Sequence, residues 1–403
     1  MKHFAIVILL VCAAAGLCLP ASAQKYTGPG VSEGEIKVGS LSPYSGPASA
    51  YGTIGKAYAG YFNKVNDEGG INGRKINFIS YDDAYSPPKS VEQTRKLVEG
   101  DEVLLVFGAV GTPTNAATQK YLNAKKVPQL FVASGASRWD DPSHFPWTMG
   151  WFPTYQSEGR IFGKYILSKY PNGKIAVIWQ NDDAGKDIMK GFKDALGSKA
   201  GMIVAEKTYE TSDPTVDSQV VALRDSGADI FASFTTPKPA AQAIRKTAEL
   251  GWKPVFLLTN VSASIPSVLQ PAGLENAKGI ISTAFLKDPN DPSWKDDPAI
   301  AAWRAFMDKY YPQGDKGDIN NVLAYVQAEA LVHVLKQCGE DLSRANVMKQ
   351  AASLKDYRSE LLLPGIYANT SPTDFLPIDQ LQMMTFDGHT WRRFGETIAA
   401  TLH

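Results

Sequence analysis

Cysteine is nearly absent from this chain. Three occur: Cys12, Cys18 and Cys338. The first two lie in an N-terminal apolar run, so a mature protein that loses this run keeps one thiol and forms no intramolecular disulfide. Cys338 ends an apolar helical pattern and reads as a small packed hydrophobe. Histidine is sparse as well. His3, His144, His333, His389 and His403 are scattered and lack the spacing of metal ligands. Excess charge of either sign is missing, with 41 basic against 41 acidic residues. That argues against nucleic acid, which needs a concentrated basic face. Beyond the N-terminus, no segment approaches the ~18 continuous apolar residues of a membrane span. Enzyme signatures are missing too. There is no Gly-x-Ser-x-Gly elbow, no phosphate-binding loop ending in Gly-Lys-Ser/Thr and no dinucleotide fingerprint. Neither a solenoid repeat nor a low-complexity tract occurs.

What is present begins with an export signal. Lys2 and His3 precede an apolar run at 4–19, and Ala21-Ser22-Ala23 supplies small residues for cleavage before Gln24. Residues 1–23 therefore read as a signal peptide and the mature protein as periplasmic. Neither early cysteine follows the Leu-(Ala/Ser)-(Gly/Ala) triplet of a lipoprotein, which favours a soluble form. The roughly 380 residues that remain exceed the usual size of one core and suggest two domains.

Strands and helices then alternate. Strands are expected at 36–41, 75–81, 103–107 and 127–133, with helices at 54–65, 91–99 and 114–125 between them. Gly69-Gly70 ends the first helix because glycine accepts the left-handed conformation there, and Asn72-Gly73 is a tight-turn dipeptide. A break rich in Pro and Trp follows at 140–152. A second series has helices at 155–169, 186–196, 216–225 and 240–250, and strands at 174–180, 202–209, 230–234 and 255–259. Such alternation means parallel sheets with crossover helices. The last portion differs. It has a strand at 279–285, an Asp/Pro-rich loop at 287–298, helices at 299–311, 320–336 and 344–353, and short strands near 365–367 and 380–386. It lacks a β-α-β series of its own and is expected to complete the two earlier units.

In open α/β sheets, ligands bind outside the carboxyl ends of strands. Here those ends carry hydroxyls and small residues: 42–46 with Tyr51, Asp82-Asp83, 108–114, 133–137, 181–183, 234–236 and Thr259-Asn260. Gly111-Thr112-Pro113-Thr114 joins an apolar strand to a helix, where free N–H groups and the positive helix end suit an anion. A simple N-cap is the alternative. Ser134-Gly135-Ala136-Ser137 repeats the arrangement at the next strand end, and the two loops together suggest a carboxylate cradle. Asp82-Asp83 and Asp182-Asp183 read as turn formers and caps rather than catalytic pairs.

Segment 66–87, NDEGGINGRKINFISYDDAYSP, resembles the first β-α-β passage of the leucine/isoleucine/valine-binding proteins of ABC importers. The resemblance runs through essentially the whole mature chain and is strongest over 35–185. It implies a type I periplasmic binding fold, α/β, with two doubly wound Rossmann-like lobes joined by a multi-strand hinge. The lobes are expected at 24–149 plus 286–360 and at 150–285 plus 361–403. In that family a Ser-Gly-Pro loop carries an aromatic over the ligand, matching Ser45-Gly46-Pro47 and Tyr51. The hydroxyl after the third strand falls on Thr112. The loop that holds the ligand carboxylate falls on Ser134, Gly135 and Ser137. The family's disulfide positions are Tyr85 and Gly111 here, in keeping with the cysteine count.

The far wall departs from the family. A tyrosine of the amino-acid binders is replaced by Ala184, a polar aromatic near Thr235 and Thr236 is absent, and their ammonium partner falls near Asn260. An ammonium buried without a charge partner loses roughly several kcal/mol, enough to erase micromolar binding. Asp83, Asp182 or Glu158 are candidate substitutes. Trp147, Trp151, Phe152, Tyr155 and Trp179 cluster near the breaks, as packing or as pocket. The resemblance thus implies a receptor for a small carboxylate, preferably an aromatic or other organic acid without an α-amine. An inner-membrane ABC permease is the expected partner, with a monomeric receptor, no cofactor and no catalysis. A branched-chain amino-acid binder, a periplasmic sensor for a membrane kinase and a secreted α/β hydrolase remain the other readings.

Overall fold

The computed structural model describes residues 25–399. The expected signal peptide at 1–23 lies outside the described residues. Two sheets organise the chain. The first holds β1 (Glu35–Ser42), β2 (Lys75–Asp82), β3 (Leu105–Phe107), β4 (Gln129–Val132) and β5 (Thr148–Gly150) in the order β2-β1-β3-β4-β5. All its neighbours pair in parallel. The second holds β6 (Ile175–Gln180), β7 (Ile203–Tyr209), β8 (Ile230–Phe234), β9 (Val255–Leu258), β10 (Ile281–Ala284), β11 (Gln380–Phe386) and β12 (Trp391–Ala399). Its order is β12-β11-β10-β9-β8-β6-β7. The first five of these strands in chain order are parallel; β11 and β12 add an antiparallel hairpin at one edge. The strands β3, β4 and β8 are buried at every residue, as sheets covered on both faces require.

Helices α1 (Gly52–Asp67), α2 (Pro87–Arg95) and α3 (Thr112–Ala124) connect the first sheet. Helices α4 (Tyr155–Lys169), α5 (Asp183–Leu196), α6 (Asp217–Asp225) and α7 (Pro237–Glu249) serve the second. After the short turns α8 (Gln270–Ala272) and α9 (Leu274–Ala277) come α10 (Pro298–Tyr310), α11 (Ile319–Gln337) and α12 (Arg344–Ala351). Helices α10 and α11 pack on α1, beside the first sheet. The late segments therefore complete both units. Leu286 and Leu362 form an antiparallel bridge where two crossing segments meet.

Local chemistry explains the boundaries. The α1 helix ends as Gly69 and Gly70 take positive φ, and the Gly70 N–H reaches the Val65 carbonyl at 2.9 Å. Asn72-Gly73 turns the chain between Ile71 and Arg74, which pair across the turn. Asp182 caps α5 by accepting from the N–H groups of Ala184 and Gly185. This starts the helix at Asp183, three residues before the expected position. Two other expectations differ. No strand forms at 365–367, where a turn leads to a single bridge between Tyr357 and Ala368. The strand β12 was not expected, because WRRFGETIA is polar and lies mostly unburied at a sheet edge, so it shows little hydrophobic alternation.

Strand order reverses between β1 and β3 in one sheet and between β6 and β8 in the other. Such switch points open a crevice at the carboxyl ends of the strands.

Candidate functional site

A cavity with about 1060 Å³ of empty space, counting its mouth, lies between these two crevices. From the first sheet's side come Tyr51, Ile54, Tyr85, Val110, Gly111 and Ala133. The second contributes Gln180, Ala184, Phe234, Thr235, Thr236 and Asn260. Crossing segments and α11 add Phe152, Tyr155, Phe285, Leu286, Asp288 and Asn320. Rings and aliphatic chains make up most of the wall, and among the described residues no lysine, arginine or histidine lines it. Gly111 has φ +101°, and a Cβ there would run into the Tyr85 ring. Glycine thus lets the ring pack on the backbone at the mouth of α3.

Contacts cross the cleft. The Tyr51 hydroxyl donates to the Val261 carbonyl at 3.0 Å. The N–H and hydroxyl of Ser137, after β4, donate to the Asp187 carboxylate on α5 at 2.6 and 3.0 Å. Arg138 meets Asp183 at 2.7 Å. The Ser264 hydroxyl, after β9, donates to Asp318 at 2.9 Å, the N-cap of α11. These bonds tie the two sides of the cleft together.

Of the nine residues expected to touch a ligand, Tyr51, Ala184, Thr235, Thr236 and Asn260 line the cavity. Thr112, Ser134, Gly135 and Ser137 do not. Thr112 and Ser134 share a hydrogen bond of 2.7 Å, Trp139 Nε1 donates to Ser134 at 3.0 Å, and both hydroxyl residues are 1% exposed. Ser137 spends its donors on Asp187. Tyr155 stands between the cradle and the cavity. Burial pushes its phenol up to about 12, opposed by the Gly135 backbone N–H and by the hydroxyls of Ser134 and Thr112. Thr112, Ser134 and Gly135 thus face the Tyr155 phenol rather than the cavity, and Ser137 faces Asp187.

The three candidate ammonium partners are all engaged. Glu158, on α4, accepts from the Thr259 hydroxyl, the Asn260 N–H and the Thr283 hydroxyl at 2.7, 2.8 and 2.8 Å. Burial pushes it up to about 7, and these three donors hold it below a still higher value. Burial likewise lifts Asp182 to about 6 against the hydrogen bonds that cap α5. Asp83 accepts from the Tyr85 N–H and Ser90 hydroxyl, and burial raises it above the usual carboxylate range. Within the aromatic cluster, Phe152 and Tyr155 reach the cavity. Trp151 packs on Phe131 in the core, and Trp147 and Trp179 lie against it.

Asp288 and Asn320 are among the cavity residues that were not foreseen. Asp288, lifted to about 6 by burial, accepts from the Asn290 N–H and amide on Oδ1 alone. Asn320, 6% exposed, has its Nδ2 buried without a hydrogen-bond partner. The signal for the first was available. The strand expected at 279–285 also ends at this edge, and its following loop opens with Lys287-Asp288. Among the described residues no group of three or more His, Cys, Asp or Glu is placed to hold a metal ion. No described helix is long and apolar enough to cross a membrane.

The periplasmic binding protein family matches residues 35–390. A Leu/Ile/Val-binding protein homolog from Brucella abortus is 25% identical over 341 residues, 81% of this chain and 85% of its own length. A branched-chain amino acid ABC transporter protein from Thermus thermophilus, solved with bound valine, superposes with a TM-score of 0.82 at 15% identity. That similarity covers 92% of this chain and 98% of the other. An ABC transporter solute-binding protein from R. palustris, solved with benzoate, gives a TM-score of 0.76 at 20% identity. Coverage there is 91% and 98%.

Proposed function

The chain belongs to the periplasmic binding protein family, whose members are substrate-binding receptors working outside the cytoplasm, and from that premise we propose a solute receptor of a branched-chain amino-acid-type ABC importer. It takes one small carboxylate between lobes 24–149 plus 286–360 and 150–285 plus 361–403, after loss of 1–23. Closure on the ligand presents a loaded, monomeric receptor to an inner-membrane permease. The observation that carries this reading is a cavity lined from the carboxyl ends of both sheets and spanned by bonds across its mouth.

The preferred ligand is an aromatic or other organic acid without an α-amine. Supporting it, the wall is mainly rings and aliphatic chains, and Asn260 stands where the family's ammonium partner falls. Glu158, Asp182 and Asp83 are already bonded. The ligand carboxylate displaces the Tyr155 phenol from Thr112, Ser134 and Gly135, and Ser137 turns from Asp187 to join them. Tyr51 covers the ligand body, with Ala184, Thr235, Thr236 and Asn260 opposite. The benzoate-bound neighbour has the same fold. An amino-acid ligand is the second reading, favoured by Asp288, whose carboxyl lines the cavity.

A thermal-shift panel of aromatic acids, aliphatic acids, amino acids and short amides tests the proposal. A ligand at a hundred times its dissociation constant stabilises by roughly 2.7 kcal/mol. Aromatic acids are expected to raise the unfolding midpoint. A response to leucine or valine alone would establish the second reading instead.

A further inference from the structure

Glu158 lies behind the cavity wall rather than in it. It is 1% exposed and does not line the cavity, yet the three residues that donate to it, Thr259, Asn260 and Thr283, all do. One carboxylate on α4 thus ties Thr259 and Asn260, after β9, to Thr283 on the neighbouring β10. These bonds have a direction. An ionised carboxylate only accepts. The Thr283 hydroxyl has one hydrogen and gives it to Glu158 Oε1 at 2.8 Å. Toward the Asn260 carboxamide, at 3.2 Å, Thr283 Oγ1 can then only accept, so the atom facing it is Nδ2 and not Oδ1. Asn260 is partly exposed. Its Oδ1 takes no hydrogen bond among the described residues and keeps accessible surface.

We infer that Glu158 is a positioning residue for the ligand site: through Thr283 its carboxylate fixes the Asn260 carboxamide with Nδ2 on Thr283, leaving Oδ1 to accept from a donor on the ligand. The inference rests on the reading of Asn260 as a ligand contact and names what that contact recognises. A proton taken from solvent undoes the constraint. A neutral Glu158 carries an O–H that itself donates. Directed at Thr283 Oγ1, it frees the Thr283 hydrogen for Asn260 Oδ1, and the carboxamide can turn over and offer Nδ2 instead. Burial sets this equilibrium at about 7, opposed only by the three bonds. The strands β9, β10 and β11 carry no charged residue. On α4, Lys164 and Lys169 are exposed and Arg160 reaches Asp194. On α5, which packs on α4, Asp183, Asp187 and Lys193 are bonded to Arg138, Ser137 and Glu206.

Nuclear magnetic resonance on the deuterated, amide- and methyl-labelled mature chain without ligand tests the relay. The Asn260 carboxamide signals are assigned by their loss in Asn260→Ala. Their nuclear Overhauser effect to the Thr283 methyl is expected to be strong above pH 7 and to fade as pH falls through about 7. In Glu158→Gln, with circular dichroism checking the fold, it should not change with pH. A wild-type effect indifferent to pH would overturn the inference, as would a pH dependence that survives Glu158→Gln. If that variant does not fold, the wild-type profile decides. Isothermal titration reads the consequence for ligands. Para- and meta-hydroxybenzoate are compared with their methoxy counterparts, which keep the charge and lose the donor. In at least one pair the preference for the hydroxyl is expected to be about fivefold larger above pH 7 than below it, the scale of one hydrogen bond. Acids that bind without this change would overturn the assignment of Oδ1 to the ligand. If no acid binds, the carboxylate reading fails on its own, and the Overhauser measurement decides the role of Glu158.

Discussion

Glu158 is bonded to three neutral donors among the described residues, in the first turn of α4. Burial lifts it from 4.5 to about 7. A carboxyl whose folded pKa is raised binds its proton more tightly in the native state. Its contribution to stability is therefore full below pH 4.5 and is lost as pH rises through about 7. The wild type is expected to lose on the order of 3 kcal/mol across that window relative to Glu158→Gln. Urea unfolding of both proteins at pH 4.5 and at neutral pH measures it, and parallel pH profiles would contradict it. Tyr155 makes a second prediction at this scale. If its phenol oxygen competes with a ligand carboxylate for the cradle, Tyr155→Phe should tighten acid binding by roughly fivefold, about 1 kcal/mol. Weaker binding would mean that the phenol donates to the ligand. Residue types at strand ends and the family resemblance were legible in the sequence, and of the residues expected at a ligand Tyr51, Ala184, Thr235, Thr236 and Asn260 line the cavity. The internal partners of Thr112, Ser134 and Ser137 were not. Whether a hydroxyl faces a ligand or a neighbouring side chain depends on contacts such as Ser137 with Asp187, fifty residues apart, which periodicity does not carry.

At the scale of elements, α5 does more than cover a sheet. Its first two turns present Asp183 and Asp187 to the loop after β4. The Arg138–Asp183 pair is partly exposed and contributes little. Asp187 accepts two charge-assisted bonds from Ser137 and one from Gln156. Asp187→Ala is expected to loosen the closed cleft and raise the ligand dissociation rate by roughly tenfold, about 1.4 kcal/mol. Stopped-flow tryptophan fluorescence reads this directly, and an unchanged rate would show that the contact does not hold the cleft closed. Most elements were legible because their apolar residues repeat at helical or strand spacing, as in α1 and β8. The elements that escaped have physical reasons. The strand β5 spans three residues inside a Pro/Trp-rich break, and β12 is an edge strand with an almost wholly unburied burial pattern.

At the scale of the molecule, two mainly parallel sheets meet at their switch points and enclose a space that neither sheet closes alone. The reading is of a receptor that holds its ligand by burial on both sides, in a wall of rings and aliphatic chains with a few polar groups among them. Alternation of elements and the resemblance over 35–185 made the architecture and family legible. The full lining of the cavity was less so, because residues such as Asp288 and Asn320 lie in late segments that reach it only through the tertiary fold. The most direct test is isothermal titration of the mature chain with aromatic acids and, in parallel, with leucine and valine. The account predicts one saturable site for an aromatic acid, at micromolar affinity or tighter, and no measurable heat with either amino acid. Saturation by leucine or valine, with no response to any acid lacking an α-amine, would contradict it.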